Sequence, residues 1–168
     1  MPRLIATAFG LGHLRPAPGT WASLAALLLG MLLFKLSFWA LLAATIAATL
    51  AGFAACRATL APGQDPSEVV IDEVAGQWLT LLFPAAGFAF STNGAAFLQT
   101  HGWLPWPAWV FPFVLFRLFD IWKPGLVGRA DAKGTPDGVM EDDLWAGLFA
   151  GLATVALAVI YHLPLIFK

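Results

Sequence analysis

The stretch GVMEDDLWAGLFAGLATVALAVIYHL, residues 138–163, decides the fold of this chain. Glu141, Asp142 and Asp143 stand side by side, and the run from Leu144 to His162 behind them contains no Asp, Glu, Lys or Arg. An uncharged run of this length approaches the roughly 20 residues a helix needs to cross a hydrocarbon core. Carboxylates are costly near hydrocarbon, so three of them at the mouth of such a run ask for a chemical reason.

The composition supports the membrane reading. Of 168 residues, 60% are hydrophobic and only 11% charged, against about 25% charged in soluble domains. Eight Trp and fourteen Phe suit bilayer interfaces, where amphipathic and bulky rings settle. The length predicts one domain, residues 1–168. Five apolar segments stand out: Trp21 to Leu36, Ser37 to Cys56, Val74 to Phe90, Trp103 to Trp122 and Leu144 to Tyr161. The expected fold is all-α, a polytopic membrane bundle of about five apolar helices. The first segment is short, so the first pair forms either a tight transmembrane hairpin or a re-entrant pair. Pro105, Pro107 and Pro112 predict a bent or irregular first half for the fourth segment.

On a five-span arrangement with the N-terminus inside, Arg3, Arg15, Arg57, Arg117, Lys123, Arg129 and Lys133 fall on the cytoplasmic side. Only Lys35 and Lys168 fall outside, a strong positive-inside bias. All ten acids land inside too, although the rule for Lys and Arg does not require it. The outer connection, STNGAAFLQTHG (residues 91–102), is expected to be a loop without acid, Lys or Arg. The net charge of −1 says nothing about partners, and no basic cluster interleaved with aromatics suggests a nucleic acid. Cys56 alone supports neither a disulfide framework nor a Cys-rich metal site. The first residues do not read as a removed signal peptide.

Two acid motifs end alike. IDEVAG gives Asp72-x-x-Ala75-Gly76 ahead of the third segment, and DDLWAG gives Asp143-x-x-Ala146-Gly147 ahead of the fifth. Both segments run outward from the same side, so they are expected to be parallel. Small residues one turn in let helix backbones approach closely and bring the acid pairs together. Capping of helix N-termini accounts for one acid per helix. Paired acids on two helices repel, and a cation between them relieves this. Oxygen ligands without competing His or Cys favour Mg²⁺, with Asp72, Glu73, Asp142 and Asp143 as ligands.

The stretch FRLFDIWKPG supplies a complement. Arg117, Asp120 and Lys123 recur at i, i+3 and i+6, within one helix face, and Pro124-Gly125 closes the helix. Taken alone, the stripe reads as an interfacial salt bridge with snorkelling cations. Beside acid pairs it reads as a phosphate clamp, Arg117 offering a planar fork and Lys123 a point charge, with Asp120 a further metal ligand. In RPAPGTWASLAAL, Pro18 and Gly19 predict a turn and Thr20 an N-cap, placing a helix N-terminus where an anion fits.

Metal-assisted phosphoryl chemistry on a lipid headgroup fits this set. A cysteine phosphatase needs Arg six positions after its nucleophile, and Pro62 stands there after Cys56. No D-x-D-x-T/V stretch, PSGH stretch or full CDP-alcohol phosphotransferase signature occurs. His13, His101 and His162 are scattered and read as interfacial side chains.

PAPGTWASLAA, DPSEVVIDEVAGQW, FRLFDIWKP and DGVMEDDLWAG, in this order and within about Gly10 to Gly147, resemble the successive motifs of the phosphatidylglycerophosphatase A family. Members often carry Gly at the place of Ala22 and a second Pro where this chain has Gly125-Leu126. The resemblance implies a mainly helical, Mg²⁺-dependent phosphatase of the bacterial inner membrane. Its substrate is phosphatidylglycerophosphate, and its products are phosphatidylglycerol and phosphate. On that implication the catalytic set is Asp72, Glu73, Asp120, Asp142 and Asp143, with Thr20, Arg117 and Lys123 binding substrate on the cytoplasmic side. A competing class is a small cation carrier or channel with an acidic mouth. A lipid phosphotransferase would share the metal and phosphate contacts but needs a nucleotide pocket that no motif supplies.

Overall fold

In the computed structural model, which describes residues 1–166 and side chains up to His162, the regular elements are helices throughout. They are α1 (Pro2–Ala6), a 3₁₀ stretch (Ala8–His13), α2 (Pro18–Leu36), α3 (Phe38–Thr59), α4 (Ile71–Phe90), α5 (Thr92–His101), α6 (Pro107–Trp122), α7 (Leu126–Asp131) and α8 (Pro136–Ile166). The five apolar segments correspond to α2, α3, α4, α6 and α8. Ser37 alone joins α2 to α3, and its hydroxyl accepts from the Ala40 amide at 3.0 Å to cap α3. Both helices of this hairpin are long and apolar enough to cross a membrane, as is α8. The bent pair α4 and α5 would make a fourth span, whereas α6, at 16 residues, is short of the usual length.

Three boundaries differ from the sequence expectation. Residues 92–101 are helical rather than a loop: the Ser91 hydroxyl caps Gly94 at 3.0 Å, and Gly102, at φ +74°, ends the helix. This α5 turns 96° from α4. The fifth helix starts at Pro136, not Leu144, with the Thr135 hydroxyl accepting from the Gly138 amide at 3.0 Å. Thr20 is not an N-cap, because α2 begins at Pro18 and places Thr20 inside its first turn. Proline suits that first position, where its missing N–H costs nothing.

Helix α4 is central, packed against α2, α3, α6 and α8. Its glycine lets α8 come close: a Cβ on Gly76 would stand 2.6 Å from the Asp143 carbonyl oxygen, and one on Gly147 2.5 Å from the Gly76 carbonyl oxygen. Thr80 Oγ1, one turn further, donates to the carbonyls of Gly147 (3.1 Å) and Gly76 (2.9 Å). Contacts therefore advance together along both helices, from Gly76 with Asp143 to Thr80 with Gly147, and the pair is parallel as expected.

Polar and apolar surfaces are segregated. Leu28, Leu32 and Leu36 of α2, Leu50 of α3, Ile121 of α6 and Val159 and Ile160 of α8 face outward. A solvated bundle would bury such rows, so this outer belt is a lipid-facing surface. The ion pairs Arg3–Glu68 (2.6 Å) and Arg57–Asp137 (2.6 Å), together with Lys133–Glu141, gather at the end where α4 and α8 begin. Lys35 lies at the other end of α2, its Nζ 4.3 Å from the centre of the Trp103 ring.

Candidate active site at the acidic end of the bundle

The first turn of α4 carries Asp72 and Glu73, where the helix dipole favours negative charge. The second turn of α8 carries Asp142 and Asp143. Because α8 starts at Pro136, these two lie too far inside the helix for the dipole, which fades beyond the first turn, to account for them. In each pair the first acid bonds the backbone of the second. Asp72 Oδ1 accepts from the Glu73 amide, and Asp142 Oδ1 from the Asp143 amide, both at 3.0 Å.

The close helix approach brings three of these acids to one point. Carboxylate oxygens of Asp72, Glu73 and Asp143 all lie within 4.8 Å of one another. Asp72 and Asp143 are buried, and Glu73 is half-buried. Oxygens around an octahedral magnesium ion stand about 3.0 Å apart when adjacent and about 4.2 Å when opposite, from a bond of about 2.1 Å, so a group within 4.8 Å needs only small shifts to hold one. The donor set is all carboxylate, with no His or Cys in it, and suits a hard cation.

Asp142, the fourth expected ligand, is outside this group. Its Oδ2 accepts from Lys123 Nζ at 2.8 Å, and Lys123 also bonds Asp131 of α7. Lys123 caps α6 in a left-handed conformation (φ 51°, ψ 53°). It therefore leaves the helical face of Arg117 and Asp120 and reaches across to α7 and α8. The expected i, i+3, i+6 stripe holds only for its first two members. Burial acts to lower the Lys123 pKa, but the bonds to Asp131 and Asp142 outweigh it and hold it above the ordinary lysine value.

Arg117 and Asp120 form a pair at 2.7 Å, both side chains about 15% exposed. Arg117 Nη1 also lies 3.9 Å from Glu73 Oε1 and donates to Ser23 Oγ of α2 at 3.4 Å. Gly19 packs directly against the Glu73 carboxylate and Arg117, so any larger residue there would displace them. Thr20 is its neighbour. The start of α2, Glu73 of α4 and Arg117 of α6 thus meet at one place, with cations and carboxylates in contact.

Five buried side-chain polar atoms among the described residues find no partner within the protein: Glu73 Oε2, both amide atoms of Gln77, Arg117 Nε and Asp143 Oδ2. Buried polar groups are nearly always bonded, and three of these five atoms belong to the acids and arginine just described. That concentration makes this end of the bundle the candidate site. Gln77 was missed in the sequence, where the signal was one amide in the apolar run VAGQWLTLLF, one turn after Glu73. Ser23 and Gly19 had no signal beyond the turn residues around them.

Comparison with known proteins gives a consistent result. The profile of the family described as Phosphatidylglycerophosphatase A matches residues 4–158. A Bacteroides thetaiotaomicron protein named putative phosphatidylinositol-3-phosphatase is 38% identical, covering 89% of each chain. Phosphatidylglycerophosphatase A of Haemophilus influenzae is 33% identical over 92% of this chain and 86% of its own. The Escherichia coli protein of that name is 30% identical over 96% and 85%. No solved structure matches.

Proposed function

Since the chain belongs to the phosphatidylglycerophosphatase A family, a family of phosphatases, and is a bacterial membrane protein by its apolar helices and relatives, we propose that it removes the terminal phosphate of phosphatidylglycerophosphate. Phosphatidylglycerol and inorganic phosphate are the products. The observation that carries this reading is the convergence of the Asp72, Glu73 and Asp143 carboxylates beside Arg117. The lipid stays in the bilayer of the inner membrane, and its headgroup meets the site on the cytoplasmic side, where the positive-inside bias puts the acidic end.

Carboxylates outnumber cations here, so a phosphate monoester, itself anionic, needs a companion cation to enter. The donor set and the unpartnered Glu73 and Asp143 oxygens fit Mg²⁺ held by Asp72, Glu73 and Asp143. Bound there, Mg²⁺ would neutralise phosphate oxygens and favour ionisation of the attacking water.

The chain's own residues supply the rest. Arg117, held by Asp120, presents N–H groups to the phosphoryl oxygens, and Lys123, held by Asp142 and Asp131, adds a point charge. The first-turn N–H groups of α2 at Gly19 and Thr20 face the same anion. A carboxylate of the cluster takes the proton of the attacking water as the P–O bond to glycerol breaks. The glycerol oxygen takes that proton back from the carboxylate and leaves as the lipid alcohol, while the water oxygen stays on phosphorus as inorganic phosphate.

The name of the Bacteroides relative favours one second reading, a phosphatidylinositol phosphate as substrate. The carrier reading has less support, because the acids cluster with cations at one end rather than marking a path through the spans. The test is phosphate release in detergent micelles from each lipid, with Mg²⁺, with a chelator, and with Asp143→Asn. Metal-dependent release lost in the variant is expected; near-normal turnover by Asp143→Asn would sink the site.

A further inference from the structure

Gln77 is fully buried, yet neither its amide nitrogen nor its carbonyl oxygen has a partner in the protein. Such a group is expensive unless something meets it, since a buried unmatched amide loses its water without replacement. Its place on α4 says what it faces. Gln77 follows Glu73 by four residues, so the two share one helix face, with Cβ atoms about 5–6 Å apart. Long side chains on a helix lean back toward its N-terminus, over the preceding turn. That tendency places the carboxamide of Gln77 on the Glu73 side of its own turn, and Glu73 stands 3.9 Å from Arg117.

The unpartnered atoms are complementary in type. Glu73 Oε2 is an acceptor and Arg117 Nε–H a donor. A carboxamide offers one group to each: N–H to the carboxylate and C=O to the guanidinium. We propose that Gln77 is a positioning residue of the hydrolytic site, linking Glu73 Oε2 to Arg117 Nε–H through its amide by a small rotation or one bridging water. It thereby fixes the carboxylate ligand and the phosphate-binding arginine relative to each other. The inference rests on the phosphatase reading above and adds to it a residue that touches no substrate. Asp120 and Ser23 already hold the Nη1 side of Arg117. Gln77 holds the remaining edge, so the guanidinium plane is set from both sides.

The experiment compares wild type, Gln77→Met and Gln77→Glu in micelles, measuring phosphate release and thermal unfolding in parallel. Methionine keeps the shape and removes both hydrogen-bonding groups; replacing an unmatched polar group by an apolar one of similar shape is near neutral for stability or raises it. The expected result for Gln77→Met is a kcat about 10–100-fold lower with KM within about 3-fold and an unchanged or higher melting temperature. Gln77→Glu, which sets a second carboxylate against Glu73, should lose at least as much. In a double-mutant cycle with Arg117→Lys, the two losses should combine to less than their product. Wild-type kcat in Gln77→Met, or losses that simply multiply, would overturn the inference while leaving the phosphatase reading intact. A folded wild type that releases no phosphate from either lipid would overturn both.

Discussion

The substitution Gly147→Ala tests whether the helix contact sets the spacing of the carboxylates. A Cβ at this position would stand 2.5 Å from the Gly76 carbonyl oxygen, and contacts under 3.0 Å are essentially never tolerated. The obstructing atom is backbone in the first turns of the central helix, so no side-chain rotation relieves it. Restoring 3.0–3.4 Å requires α4 and α8 to separate by roughly 0.5–1 Å. Asp143 lies one turn before Gly147, and Asp72 and Glu73 about one turn before Gly76, so the separation carries directly into the cluster. The Asp143 oxygen, now within 4.8 Å of those of Asp72 and Glu73, would move away from both by the same roughly 0.5–1 Å, up to roughly 5.3–5.8 Å and past the ~4.2 Å across a magnesium ion. Misplacement by about 1 Å costs up to about 100-fold in rate, so kcat should fall about 10–100-fold. Stability should fall by about 1–3 kcal/mol, the usual cost of overpacking. Gly87→Ala is the control: its Cβ meets nothing within 4 Å, and alanine in a helix is worth about 0.5–1 kcal/mol over glycine. Phosphate release and melting temperature would be read for both. Full activity in a folded Gly147→Ala protein would refute the link between backbone contact and catalysis.

Three further outcomes follow from the charges. Lys123→Met leaves the nearly buried Asp142 without its cation and should cost about 1–3 kcal/mol, less than a fully buried pair because Lys123 is 31% exposed. The folded pKa of Lys123 lies above the unfolded value near 10.4. Its contribution is therefore fully present below about pH 10 and lost only as the pH rises further; a melting-temperature gap to Lys123→Met that closes between pH 7 and 9 would contradict this. Mg²⁺ at about 100 times its Kd should stabilise the protein by about 2.7 kcal/mol, and Asp143→Asn should abolish that gain, which differential scanning calorimetry would read. Without Mg²⁺, Asp143→Asn should melt no lower than wild type, because it removes one of three clustered like charges; a clear loss would mean that the carboxylate has a structural role.

How much of this was legible depends on the physics behind each feature. The apolar segments were visible because membrane thickness fixes their length, and the parallel contact of α4 and α8 because Ala75-Gly76 and Ala146-Gly147 repeat the same small-residue spacing. The helical identity of residues 92–101 was hidden by their polarity, although Ser91 and Gly102 are ordinary start and stop signals. The start of α8 was hidden because the polar residues 136–143 look like loop when hydropathy is the guide, yet they extend the helix beyond the apolar run. That extension matters chemically. It moves Asp142 and Asp143 from a helix terminus, where the dipole would help hold them, into the second turn, where only neighbours can. Asp142 finds Lys123, which reaches it from a left-handed position at the end of α6, a conformation that no i, i+3 rule anticipates. Asp143 finds no partner for its second oxygen and faces Asp72 and Glu73 instead. The two adjacent acids therefore differ in their surroundings: Asp142 anchors the lysine, and Asp143 stands among carboxylates in a group that could hold a cation.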